Sequence, residues 1–288
     1  MDIARLMIKQ KRFKVFNICK ILKVSRSNQY KNKVRRLSRY VKLDDEEVKQ
    51  EVLSVIKERT SYGYKRVTAL INREHIKSNK PRYNRKRILR IMQLNSLMLK
   101  NMKNRNSRPH TGKVITMGSN IRYCSDILTI KCWDGSKVEM AFSLDCHDRE
   151  IIAHVAHARA TNHHDIIKLS DYTVMNRFGD NVVKLPYEIQ FLSDLGGPYT
   201  AYETKDYLKS WGFKPINTPA YSPESNGISE SFVKRFKDDY VYINELWTAE
   251  AVLRMIPAWV NDYNENHPHS GLNYLSPREY IKLQKVSV

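Results

Sequence analysis

The sequence of 288 residues has no run of about 18 apolar residues, which leaves it without a membrane-spanning helix. Its basic N-terminus lacks both the apolar core and the small-residue cleavage site of a secretory signal. Cysteine is scarce: Cys19, Cys124, Cys132 and Cys146 form no Cys-X-X-Cys pair. Their spacing suits neither a zinc site nor a disulfide framework, so they read as reduced, partly buried thiols of a cytoplasmic protein. No internal repeat is evident. The most telling shortage is of negative charge near the start. Residues 1–120 hold 8 Asp and Glu against 32 Lys and Arg, a net of +24, whereas residues 121–288 hold 22 against 18, a net of −4. The whole formal excess of +20 therefore sits in the first 120 residues. Such a segment attracts polyanions, and each phosphate it neutralises releases counterions. Binding of nucleic acid is the expectation, with a merely basic, soluble surface as the alternative.

What is present agrees with that expectation. A hydrophobic fraction of 41% and 17 tyrosines are enough for a real core. In residues 15–32 Ile18, Ile21 and Leu22 recur at helical spacing, Lys23-Val24 breaks the pattern, and Ser25 can cap a second helix. Two short helices with a tight turn fit a helix-turn-helix, within a basic region spanning 1–40. Ser25, Arg26, Asn28 and Gln29 then stand at the start of the second helix, where base edges are read. A second helical region, 45–99, holds helical segments at 45–57, 61–74 and 84–95. In the last, Ile88, Ile91 and Met92 face inward and leave Arg85, Lys86, Arg87 and Arg90 for a phosphate backbone. Residues 100–120 are polar, basic and without apolar periodicity, and read as a linker.

After the linker the period changes. Residues 121–133, 136–146 and 149–158 read as consecutive strands, with Asp134-Gly135 in the first turn. A helix over 162–176, a strand over 188–194, a helix over 202–211, a strand over 213–218 and a helix over 225–241 follow. This order predicts an α/β core, 121–245, with a mixed five-stranded sheet flanked by helices. The tail, 246–288, reads as helical and is interrupted around 264–277.

Three acids stand out. Asp126 shares a strand face with Cys124, Leu128, Ile130 and Cys132, so a carboxylate points to a mostly apolar side. A lone buried carboxylate is costly and needs a cation or strong partners. Asp194 ends a strand on the face of Leu192, just before Gly196-Gly197-Pro198, and strand ends of helix-covered sheets are where sites form. Asp145, by contrast, shares its face with Glu139, Ala141 and Ser143 and reads as structural, with Asp148 in the following turn. On the helix over 225–241, Ile228, Phe232, Phe236 and Tyr240 form the inward stripe, with Glu230, Lys234 and Lys237 beside it. A surface Glu230–Lys234 pair contributes only a few tenths of a kcal/mol and leaves the two inward aspartates unexplained. Three carboxylates without His or Cys suit a hard ion, Mg²⁺ or Mn²⁺, and two such ions about 4 Å apart can serve both oxygens of a phosphodiester displacement. Neighbouring lysines would grip DNA phosphates.

Asp126, Asp194 and, after 35 intervening residues, Glu230 resemble the DDE pattern of retroviral-integrase-like transposases. The stretches SNIRYCSD, FSLDCHDREI, SPESNGISESFVKRFKDDYV and YNENHPHSGLNYLSPREY resemble the catalytic second-frame (OrfB-type) protein of bacterial insertion sequences. YGYKRVTALI and NRKRILRIMQLN resemble that family's helical DNA-binding region. The likeness spans roughly residues 50–284. It implies a ribonuclease-H-like core holding two Mg²⁺ (or Mn²⁺), Asp126 bridging them and Asp194 and Glu230 each holding one. It implies Lys234 and Lys237 on transposon-end DNA, with Asn226 at the entrance to their helix. The implied reaction frees a 3′-hydroxyl at the element's end, and that hydroxyl then attacks a second phosphodiester. Implied partners are double-stranded DNA, both element ends and target, further copies of the chain, and an upstream-frame helix-turn-helix protein or fusion, in a bacterial, nucleoid-associated setting. Tyr123 stands where the family usually has Trp, Leu195 where Asn is frequent, and His267 where Arg is common. No retroviral-type zinc-binding His-His-Cys-Cys region is present, and the adjacent His163 and His164 read as surface residues. His269 either touches DNA or closes a turn. Competing readings are a non-catalytic DNA-binding regulator and a ribonuclease-H-type nuclease that cuts without joining.

Overall fold

The computed structural model describes residues 3–10, 13–26, 44–99, 116–218 and 227–286. The chain divides into two compact units, Met1–Asp45 and Glu46–Val288. The first contains helices α1 (Ile3–Lys9) and α2 (Val15–Ile21). Ala4, Ile18 and Cys19 are buried, whereas Ile21 and Leu22 are exposed. The break expected after α2 is present: Lys23 takes a left-handed φ of 50°, and the Val24 amide donates back to the Cys19 carbonyl at 3.0 Å. Ser25 and Arg26 are exposed, and Asn28 and Gln29 lie outside the described residues.

The second unit starts with α3 (Asp45–Glu58), α4 (Tyr64–Lys77) and α5 (Arg85–Leu94). Val48 and Val52 on α3, Val67 and Ile71 on α4, and Ile88, Ile91 and Met92 on α5 form one apolar cluster around Tyr62. Asn84 caps α5, its side-chain oxygen accepting from the Lys86 amide at 2.9 Å.

The remainder is an α/β core. Strands β1 (Arg122–Lys131), β2 (Lys137–Asp145) and β3 (Ile151–His157) form an antiparallel meander, and β4 (Ile189–Ser193) and β5 (Phe213–Asn217) add in parallel to give the order β3-β2-β1-β4-β5. In the first turn Gly135 takes φ 85°, which disfavours any side chain, and Asp134 accepts from the Ser136 amide at 2.9 Å. Helix α6 (His163–Phe178) opens on a capping box of Asn162 and Asp165, and it carries the chain from β3 to β4. A short α7 (Gly197–Thr200) and α8 (Tyr202–Trp211) lead to β5. One sheet face packs on α6 and α8 through Tyr123, Ala141, Ile166, Leu169 and Phe191. The other, through Cys124, Leu128, Met140, Phe142 and Leu144, meets α9 (Gly227–Phe236) and α10 (Ala249–Asn266). Helix α11 (Pro277–Val286) ends the described chain. The Pro257 inside α10 does not stop it, and α10 runs through to Asn266, a little further than the sequence suggests.

Two features differ from expectation. The helix read over 225–241 is described from Gly227, and from Lys237 to Val241 it widens into a π-helical turn, with the Tyr242 amide donating to the Lys237 carbonyl at 2.8 Å. That widening lets adjacent Asp239 and Tyr240 both turn inward. The second difference concerns independence. The α3–α5 region is tied to the core by Arg59–Asp262 at 2.6 Å, Arg66–Asp239 at 3.1 Å, Arg73–Glu279 at 2.7 Å and Tyr62 Oη–His267 Nδ1 at 2.9 Å. All four cysteines are buried and free.

Candidate active site

Asp126 lies mid-strand in β1, opposite Phe142 of β2. Its face neighbours, Cys124, Leu128 and Ile130, belong to the apolar cluster under α9 and α10, so the alternation that singled it out holds in space. The side chain is half-buried, and its Oδ1 accepts from the Ile127 amide at 2.7 Å. Asp194 directly follows β4, which pairs in parallel with β1. Its Oδ1 accepts from the Gly196 amide at 3.0 Å, and Asn217 at the end of β5 donates to its carbonyl at 3.0 Å. Gly196 fits because it has no side chain: a Cβ there would stand 2.9 Å from Asp194 Oδ1. Leu195, in the position flagged as unusual, is exposed.

Glu230 sits in the first turn of α9 and is exposed. Fully buried Ser229 and inward-facing Phe232 set that turn against the sheet, with the Phe232 ring centroid 4.4 Å from that of Phe142, the strand partner of Asp126. Burial, and then the charges of Asp194 and Glu230, push the Asp126 carboxyl up to about 6, and Lys237 opposes that rise. Three carboxylates and one lysine, from β1, the end of β4 and α9, thus share one electrostatic neighbourhood. Lys237 is half-buried and Lys234 exposed. Among the described residues no three acidic, His or Cys side chains are close enough together to cage one ion. The arrangement is open, with two half-buried aspartates and Glu230 at the rim.

A residue that the sequence reading missed lies beneath it. Ser125 Oγ donates to the Phe142 carbonyl at 2.7 Å, so buried Tyr199 donates its hydroxyl to Ser125 Oγ, also at 2.7 Å. Burial holds the Tyr199 phenol well above its usual range, and the charges of Asp126 and Asp194 act in the same direction. Tyr199 therefore stays neutral between the two aspartates. Its signal in the sequence was an aromatic residue just after Gly196-Gly197-Pro198 at a strand end.

Other expected residues fare differently. Asp145 is structural: fully buried, it accepts from the amides of Asn120 and His147, both at 2.7 Å, and pairs with Arg177 of α6 at 3.1 Å. Asp148, in the turn, pairs with the same arginine at 2.6 Å. Arg85 and Lys86 project from the start of α5, whereas Arg87 and Arg90 are half-buried. The Arg85 guanidinium lies 5.2 Å from the Tyr274 ring centroid and that of Arg87 5.2 Å from that of Tyr83. Asn226 lies outside the described residues. The backbone of His269 closes a turn, donating to the Leu275 carbonyl at 3.0 Å and accepting from the Tyr274 amide at 2.7 Å. The His163 and His164 rings lie tilted at 38° with centroids 4.0 Å apart, and His164 is exposed.

Comparison with known proteins adds identity to this geometry. The family profile described as an integrase core domain matches residues 211–277, and an HTH-like domain profile matches residues 42–105. The transposase InsD of insertion element IS2 from Escherichia coli is 38% identical over 241 residues, covering 83% of this chain and 79% of that protein. An uncharacterized protein of insertion element IS136 from Agrobacterium fabrum is 43% identical over 183 residues, 63% of this chain and 93% of that protein. Among solved structures, a chain of the simian T-cell lymphotropic virus intasome, determined with a PP2A regulatory subunit, superposes with TM-score 0.47 at 14% identity, covering 73% of each chain. The match to InsD, running through the HTH-like helices and the sheet alike, makes this chain a member of the bacterial insertion-sequence transposases, with an integrase core behind an HTH-like region.

Proposed function

We propose that the protein cuts DNA at the ends of its insertion element and joins the freed 3′-hydroxyl to a target, with Asp126, Asp194 and Glu230 as the catalytic carboxylates. The observation that supports this reading most is the raised Asp126 carboxyl: burial and two nearby acids disfavour its charge, against the opposing charge of Lys237. Such a group gains from a divalent cation. The donor set is all hard oxygen, which fits Mg²⁺ or Mn²⁺. Mg²⁺ commonly takes one or two protein carboxylates and completes its six positions with water and substrate phosphate, so an open site suits it better than a closed cage. Two such ions, when bound, supply activation of the attacking oxygen and stabilisation of the leaving oxygen.

The chain's own residues supply the rest. Asp126 and Asp194 are held by the ends and middle of adjacent parallel strands, so their spacing is fixed by the sheet. Tyr199 and Gly196 keep the floor beneath them neutral and tight. Glu230 closes the set from α9, and Lys237 and Lys234 on the same helix face hold the strand's phosphates. Water opens the P–O3′ bond at the element end, leaving a 5′-phosphate on the flank, and the freed 3′-hydroxyl attacks a target phosphodiester whose own P–O3′ bond breaks and releases a 3′-hydroxyl, giving joined strands without a covalent protein–DNA intermediate. Joining two ends calls for at least two copies of the chain on DNA, with an upstream-frame helix-turn-helix partner supplying further end recognition. The test is an end-cleavage and joining assay on duplexes bearing the flanking inverted repeats, with Mg²⁺ and this chain alone. Cut and joined products are expected. Cutting without joining indicates a nuclease, and binding without either product a regulator.

A further inference from the structure

A cleft of about 300 Å³ lies on the flank of α9, the helix that carries Glu230. Among the described residues its charged lining is entirely basic: Arg66 from α4, Arg149 from the β2–β3 turn and Arg235 from α9, joined by His267 and His269. Arg66 is engaged by buried Asp239, but Arg149 and Arg235 form no side-chain hydrogen bond or ion pair with a described residue. His267 is 1% exposed, and its Nδ1 lies 2.9 Å from Tyr62 Oη and 3.4 Å from the buried Asp239 Oδ2. The Nε2 atoms of both His267 and His269 are buried without a hydrogen-bond partner among the described residues. Buried polar atoms are nearly always satisfied, so two orphaned imidazole nitrogens in one basic cleft mark a missing hydrogen-bond partner. Burial and the arginine charges hold both imidazoles below their usual range, His269 at about 3, so each enters as a neutral ring.

The geometry points to a phosphate-binding cleft, in which the Arg149 and Arg235 guanidinium groups and the imidazoles of His267 and His269 take one phosphate of the DNA backbone. Guanidinium groups grip phosphate oxygens in pairs, and neutral N–H donors complete the shell. The assignment to DNA rests on the proposed function. Ser231 and Arg235 lie about 100° and 140° around α9 from Glu230, so a strand leaving the carboxylates across that helix meets the cleft next. The cleft is thus an anchor at a fixed offset from the cut bond.

The test uses the full chain with Arg149→Gln and Arg235→Gln, singly and together. One arm measures melting temperature in inorganic phosphate against chloride at matched ionic strength. The other measures affinity for an element-end duplex from low to high salt. Phosphate should stabilise the wild type and not the double variant, and the slope of log affinity against log salt should fall by about 1 for each arginine removed. Phosphate stabilisation with an unchanged salt slope keeps the phosphate cleft and assigns it to a free phosphate group. Loss of neither, in variants that melt like the wild type without phosphate, overturns the proposal, and it leaves wild-type end cleavage as a separate test of the carboxylates.

Discussion

Asp126 is the residue on which the chemistry turns, and its raised carboxyl makes a thermodynamic statement as well. Between the ordinary 3.8 and about 6 the folded protein keeps a proton that the unfolded chain has released. Without divalent ions its contribution to stability is therefore full below about pH 4 and lost as pH rises through about 6. In urea unfolding from pH 4 to 7, the stability of the wild type relative to Asp126→Asn should decline by about 1 kcal/mol, the share of this half-buried group. A wild-type profile identical to that of Asp126→Asn contradicts the placement of the three acids. Gly196 offers a second residue-scale test. Adding a methyl 2.9 Å from Asp194 Oδ1 must displace that carboxylate. Gly196→Ala should keep the fold and lose about tenfold or more in cleavage rate, since small misplacements at a reacting centre are expensive. Equal single-turnover rates for the two proteins would count against a role for Asp194.

Elements hold these residues by means that were unevenly legible. Strand alternation alone gave the facing of Asp126 and Asp145, because a period of two leaves no freedom once one side is apolar. Helical spacing gave the Phe232, Phe236 and Tyr240 stripe for the same kind of reason. Arg177 could not be found that way: it lies on α6, far along the chain from the acids it joins, and only the folded sheet brings it to Asp145, Asp148 and Glu150. The π turn at Lys237–Val241 was equally hidden, since it answers to Asp239 meeting Arg66 and Ser61 across a long sequence gap. Arg177→Ala strands two fully buried carboxylates, and it should cost about 3–5 kcal/mol in denaturant unfolding at neutral pH. A loss below about 1 kcal/mol would mean that these acids are protonated or solvated, contrary to the contacts described.

Across the whole molecule, charge asymmetry was readable from the sequence, but the joint between the helical region and the core was not. The sequence suggests that residues 1–110 could be removed to leave an intact core. The buried contacts of Tyr62, Arg59 and Arg66 with His267, Asp262 and Asp239 argue otherwise. Removing residues 1–45 should leave a unit that melts cooperatively near the full-length temperature, whereas extending the deletion through residue 99 should lower it by about 5–10 °C. Both deletions should weaken DNA binding and flatten its salt dependence, the longer one more, because each removes part of the net +24 of residues 1–120. The central claim is that three carboxylates from β1, the end of β4 and α9 act together on one phosphodiester. Its most direct measurement is the rate of element-end cleavage in Mg²⁺ for Asp126→Asn, Asp194→Asn and Glu230→Gln, with duplex affinity measured in parallel. The account predicts that each substitution lowers cleavage about a thousandfold or more while affinity stays within a few-fold of the wild type. Cleavage at the wild-type rate by any one of the three contradicts it.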